Sequence, residues 1–219
     1  MATKSLLAEL TQAYQAQTGV SVQIESVGGV DAAKRVQAGE AVDVVLLASD
    51  AIDRLMAAGA VQTGSRSDWV RSPVAVAVKA GATHPDLSNE AALKAAVLAS
   101  PTLSYSTGPS GVALAKLFER WGIADEIQSR IVQAPPGVPV GTLVARGEVA
   151  LGFQQLSELI HVPGIRIVGP LPPEIQITTT FSAGVGVHSN QSAAARALLD
   201  YMRSPQAHGA KLRQGMEPA

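Results

Sequence analysis

Cysteine is absent from all 219 residues, which excludes a disulfide framework and any thiolate metal site and leaves compartment unreadable from thiol usage. Charge is scarce, at 16% of residues, while hydrophobic side chains make up 47%, a balance that excludes a disordered chain. Neither sign prevails, with 17 basic residues against 18 acidic ones, so nothing here neutralises a phosphate backbone and nucleic acid is not an expected partner. Apolar stretches such as the one ending at Ala48 fall well short of the ~20 residues that span a bilayer, and no transmembrane segment is expected. The N-terminus, with Lys4 but no apolar core and no small-residue cleavage site, does not read as an export signal. That leaves a cytoplasmic protein, or a periplasmic one whose signal was removed or omitted.

What is present is an alternation of helical and strand patterns. Leu6, Leu7, Leu10, Ala13 and Tyr14 recur at helical spacing over residues 5–17, and Gly19 stops the run. Val20, Val22 and Ile24 then alternate with polar residues as a strand would. The same grammar repeats: a helix over 31–38, a strand at 44–47, a helix over 51–58 and a strand at 73–78. After Lys79 to Pro85 a second series begins, with helices at 90–98, 112–121, 140–146 and 157–160 and strands at 103–105, 131–132, 149–153 and 165–168. A long β-rich segment, 175–187, leads to helices at 192–202 and 205–213. Strands alternating with helices predict an α/β fold of two lobes, each a mainly parallel sheet flanked by helices. Lobe I is 1–78 plus 181–219 and lobe II is 79–180, with crossings near Val78 and Thr180.

In open α/β sheets ligands bind beyond the carboxyl ends of strands, where turns enter helices. Three such turns stand out: Ala2-Thr3-Lys4-Ser5, Gly28-Gly29 and Thr107-Gly108-Pro109-Ser110-Gly111. Unpaired N–H groups and the positive dipole end make helix starts receptive to an anion. Arg71-Ser72, before a strand at the first crossing, places a guanidinium able to grip a carboxylate bidentately. There is no GxxxxGK[ST] or GxGxxG loop for a nucleotide and no GxSxG for a hydrolase. His84, His161, His188 and His208 are scattered without ligand spacing, so neither a metal nor another cofactor is expected.

The runs 18–29 and 35–49, with Val144-Ala145-Arg146-Gly147-Glu148-Val149-Ala150-Leu151-Gly152 and Tyr201-Met202-Arg203-Ser204-Pro205-Gln206-Ala207, resemble the type II periplasmic solute-binding proteins. More narrowly they are similar to the molybdate-binding-like branch of ABC transporters, which also includes aconitate-isomerase-like proteins. The resemblance spans nearly the whole chain. It implies the periplasmic-binding-protein type II fold, with two lobes, a two-crossing hinge and an anion in the cleft between them. Carried over by position, ligand contacts fall at Ala2-Thr3, Gly28-Gly29, Pro109-Ser110, Pro139-Val140 and Gln155. Molybdate binders present serines in the first two loops and a tyrosine in the last; Ala2, the glycine pair and Gln155 stand here instead. Each missing hydrogen bond to a small oxyanion costs ~1–3 kcal/mol, which argues against molybdate.

The expected function is therefore that of a non-catalytic, monomeric solute-binding protein. It captures an organic di- or tricarboxylate in preference to an oxyanion and delivers it to an ABC transporter permease. The binding set is Thr3, Lys4, Gly28, Gly29, Arg71, Ser72, Pro109, Ser110, Gly111, Pro139, Val140 and Gln155. The alternative is an isomerase that moves an allylic proton in a tricarboxylate such as aconitate, with Lys4, Thr3 or Ser110 as its catalytic groups. The resemblance also implies a first strand ahead of Thr3, in a segment omitted from this chain together with any export signal.

Overall fold

A computed structural model describes residues 2–135 and 138–219. In chain order the elements begin with α1 (Lys4–Thr18), α2 (Gly29–Gln37), β1 (Val44–Ala48), α3 (Ser49–Ala57) and β2 (Ser67–Lys79). They continue with α4 (Glu90–Ala99), β3 (Leu103–Tyr105), α5 (Pro109–Arg120), α6 (Ala124–Ile127), α7 (Val140–Arg146), β4 (Leu151–Gln155) and α8 (Leu156–Leu159). The last are β5 (Ile165–Pro170), β6 (Thr178–Val185), α9 (Ser192–Arg203), α10 (His208–Arg213) and β7 (Glu217–Pro218). The chain divides into two compact units, one formed by Met1–Ser72 with Thr179–Ala219, the other by Pro73–Thr178.

In the discontinuous unit β1 runs antiparallel to β6, with Val44 opposite Val185 and Ala48 opposite Phe181. The start of β2 pairs antiparallel with β7 through Val70 and Arg71. Leu6, Leu7, Leu10 and Tyr14 of α1 pack with Leu198, Leu199 and Met202 of α9 on Trp69 and Val70, so the helical stripe legible in the sequence is the face that is buried. A second cluster joins Val36 of α2, Val45 and Leu47 of β1, and Ile52 and Leu55 of α3.

In the contiguous unit the rest of β2 runs antiparallel to both β4 and β5, and β3 runs parallel to β4. The core is aromatic at its centre. Phe118 meets Tyr105 and Phe153 edge-on at centroid distances of 5.8 and 6.1 Å and lies 5.8 Å from Trp121.

Three expectations are corrected. The sheets are not mainly parallel: among the described strand pairings only β3 with β4 is parallel. Alternation along the chain does not fix neighbours in space. β1 and β2 follow one another with α3 between them, yet β6, from far along the chain, is the strand between them. Nor do residues 20–25 form a strand. No ladder partner meets them; Val20 N donates to Thr18 Oγ1 (3.2 Å) and Val22 N to Gln15 Oε1 (2.5 Å), while Val20 and Ile24 stay 40% and 41% exposed. A shorter correction concerns Ile131, which makes a single parallel bridge to Leu103 in place of a strand.

Lys211 is the unusual member of the first core. It is 1% exposed, and its Nζ donates to the Trp69 carbonyl at 2.8 Å. Burial, helped by Arg203, pushes the ammonium down to about 8. A folded-state value below the unfolded one means that the unfolded chain binds the extra proton, so the penalty is complete below pH 8 and relieved as pH rises toward the unfolded value of about 10.4. The unfolding free energy of the protein, taken relative to Lys211→Met, is expected to rise by about 1.4 kcal/mol per pH unit across that window. Urea titrations of both proteins at stepped pH measure it, and a constant difference would contradict it.

Candidate functional site

Because β3 and β4 run parallel, their carboxyl ends lie at one edge of the contiguous unit, and the turns that leave them enter helices there. After β3 comes the glycine turn into α5. Gly108 is the N-cap, Pro109 the first helical residue, and the first turn holds no acidic residue. Ser110 is 4% exposed, and its hydroxyl lies 3.1 Å from that of Ser106. Gly111 is required by a close approach, since a Cβ there would fall 1.5 Å from the Ser106 carbonyl oxygen. The turn thus folds back on the helix start and carries two hydroxyls beside its unpaired N–H groups.

The end of β4 meets the start of α7. Pro139 is the N-cap, Val140 is fully buried, and Gly141 N donates to Gln154 Oε1 at 3.3 Å. Gln154 and Gln155 are both buried at the end of β4. Burial pushes the half-buried Glu158 carboxyl on α8 upward from the ordinary carboxylate range, against smaller opposing effects, first of a nearby positive charge and then of Gln154. Glu158 was not among the sequence candidates. Its local pattern, Ser157-Glu158-Leu159, reads as the polar side of a short helix, and only the fold sets it beside the start of α7.

In the discontinuous unit Thr3 is the buried N-cap of α1, with no side-chain capping bond and no acidic residue in the first turn, and Lys4 is exposed beside it. Gly28 caps α2 and Gly29 lies against Leu47, but here the first turn carries its own carboxylate, Asp31, whose Oδ2 is 3.3 Å from where a Gly28 Cβ would stand. That carboxylate already answers part of the helix dipole. Ser72 is fully buried. Arg71 is exposed and donates to the Pro218 carbonyl at 3.1 Å, which engages it with β7. The structure therefore gathers Pro109, Ser110, Gly111, Pro139, Val140 and Gln155 at the strand ends of one unit, and it directs Arg71 to the C-terminal strand of the other.

An uncapped helix start is common in this chain and is not by itself distinctive. The contrast is α4, where Asn89 Oδ1 accepts from Ala92 N at 2.9 Å and the first turn holds Glu90. Other carboxyls are drawn downward: Glu25 and Glu40 by Arg35, Glu90 by Trp121 and Arg120, and Asp86 by Ser88. Among the described residues no three acidic or histidine side chains cluster as metal ligands, and no helix is long and apolar enough to cross a membrane.

The profile of the bacterial extracellular solute-binding proteins matches residues 1–217. The chain belongs to that family. Its fold is shared by the periplasmic molybdate-binding protein of Azotobacter vinelandii, with a TM-score of 0.80 at 22% identity over 98% of this chain and 95% of that one. A sulfate-binding protein of Mycobacterium tuberculosis superposes with a TM-score of 0.79 at 17% identity, over 99% and 83% of the two chains. A much closer likeness in sequence is to an aconitate isomerase of a Pseudomonas species, 41% identical over 216 residues, 96% of this chain and 82% of that enzyme. Within the solute-binding family, then, this chain shares the fold of oxyanion binders and far more of its sequence with a protein named for an isomerisation.

Proposed function

We propose that this solute-binding family member binds an unsaturated tricarboxylate of the aconitate type and shifts its double bond. The observation that carries the reading is the 41% identity with an aconitate isomerase, sustained over 96% of the chain, against 17–22% for the oxyanion binders of the same fold. The residues agree with it. Glycine and alanine replace the hydroxyls that a small dehydrated oxyanion needs, and the starts of α1, α5 and α7 hold no acidic residue that would repel carboxylates. Donors fixed in place before the reaction favour the enolate-like state in which carboxylate charge builds up. Thr3, Lys4, Ser110 and the N–H groups behind Gly28, Gly111 and Val140 form the proposed binding set in the two units, and the periplasm is the proposed location.

Capture without turnover, followed by delivery to a membrane transporter, is the second reading, and the family match over residues 1–217 favours it. One assay separates the two. Incubation with cis- or trans-aconitate, followed by chromatography of the isomers, is expected to show equilibration that depends on protein concentration. A thermal shift by aconitate with an unchanged isomer ratio would establish capture alone, and a shift by molybdate or sulfate but not by aconitate would overturn both carboxylate readings.

A further inference from the structure

We propose that Arg35 is a positioning residue for solute binding: it fixes the Gly28-Gly29 turn at the start of α2, an assignment that rests on the aconitate-binding reading above. Its guanidinium makes four short hydrogen bonds to two carboxylates. Nε donates to Glu40 Oε2 and Nη2 to Glu40 Oε1, both at 2.6 Å, while Nη1 and Nη2 donate to Glu25 Oε1 and Oε2 at 2.6 and 2.8 Å. Both pairs are bidentate, the geometry in which a planar fork fixes direction as well as charge. Glu40 follows α2, and Glu25 lies three residues before Gly28. One side chain in the last turn of α2 thus ties down the segment that delivers the turn at its start.

That segment has few other tethers. Between Tyr14 and Val36 no residue is buried, and among the described residues none from 20 to 27 makes a backbone–backbone hydrogen bond. Its beginning is held by the Thr18 and Gln15 side chains at Val20 N and Val22 N, and the next hydrogen bond along it is that of Glu25 with Arg35. The other helix starts of the same set are placed by different means: α5 by the close approach of Gly111 to Ser106, and α7 by Gly141 N on the buried Gln154.

Isolated exposed ion pairs contribute little, and the exceptions are bidentate pairs joined in a network. The effect expected here is local. It orders the N–H groups of Gly29 and Val30 for a carboxylate without making the whole fold more stable. Asp31 in the same turn makes the placement exacting, because its carboxylate opposes any anion that is brought too close to it.

The test uses the whole chain with Arg35→Lys, which keeps the charge and loses both forks. Amide hydrogen exchange without solute, read by mass spectrometry, is expected to quicken about fivefold over residues 23–31. The dissociation constant for trans-aconitate is expected to rise about tenfold, with the urea midpoint little changed. Glu25→Gln is expected to reproduce both effects and to add nothing when combined with Arg35→Lys, which separates lost positioning from a folding defect. Glu40→Gln leaves the Glu25 fork in place and is expected to have a smaller effect on each. Unchanged exchange in Arg35→Lys overturns the assignment and leaves the aconitate reading standing. Faster exchange with unchanged affinity overturns it too, since the turn then does not meet the solute. Failure of the unaltered protein to bind aconitate overturns the reading and the assignment together.

Discussion

Gly111→Ala is expected to lower the unfolding free energy by about 3 kcal/mol and to weaken binding of aconitate by tenfold or more. The reason is a contact that no rotamer change relieves. The new Cβ would lie 1.5 Å from the carbonyl oxygen of Ser106 and 2.6 Å from its carbonyl carbon, both backbone atoms. The Ser106 turn and the start of α5 must separate, and the 3.1 Å contact between the Ser106 and Ser110 hydroxyls is lost as they do. Stability falls through strain at the turn, and affinity falls because the α5 start is displaced from the carboxyl edge of β3. Urea denaturation and ligand titration of the variant measure the two effects. A variant with unchanged stability and affinity would show that this turn neither constrains α5 nor meets the solute.

Phe118→Ala is expected to cost about 3–5 kcal/mol, a large part of the stability of a domain this size. Phe118 is 1% exposed and is the ring on which Tyr105, Trp121 and Phe153 converge. Tyr105 ends β3 and Phe153 lies in β4, so the same ring fixes the pair of strands whose ends carry the glycine turn and Gln155. Truncation leaves a cavity and removes three aromatic contacts at once. Phe118→Leu, which keeps most of the volume, is expected to recover over half of the loss in the same denaturation experiment.

Much of the local structure was legible because it rests on local causes. The stripe of Leu6, Leu7 and Leu10 forms α1, the glycine after it stops the helix, and α7 and β3 span the residues that their patterns mark. Strand pairing was not legible in the same way. Val20, Val22 and Ile24 alternate as a strand does, but alternation forms a strand only where another backbone supplies a ladder, and none meets them here. The short α6 and β7 carry too few residues for a period to show. For the site, the turn at Gly108 and Gly111 announced itself by composition. Glu158 did not, because its partial burial depends on how the short α8 packs against α7 and β4.

The interruption of one unit by the other sets an order on the ribosome. Residues 73–178 form a contiguous unit that is complete once residue 178 is made, whereas the other unit needs residues 179–219 to finish. Until α9 arrives, Leu6, Leu7, Leu10 and Tyr14 have no Leu198, Leu199 or Met202 to cover them. Helix α1 is therefore made long before it is buried, and nascent chains of this protein expose its greasy stripe until α9 follows, which makes it a natural place for a holding chaperone to bind.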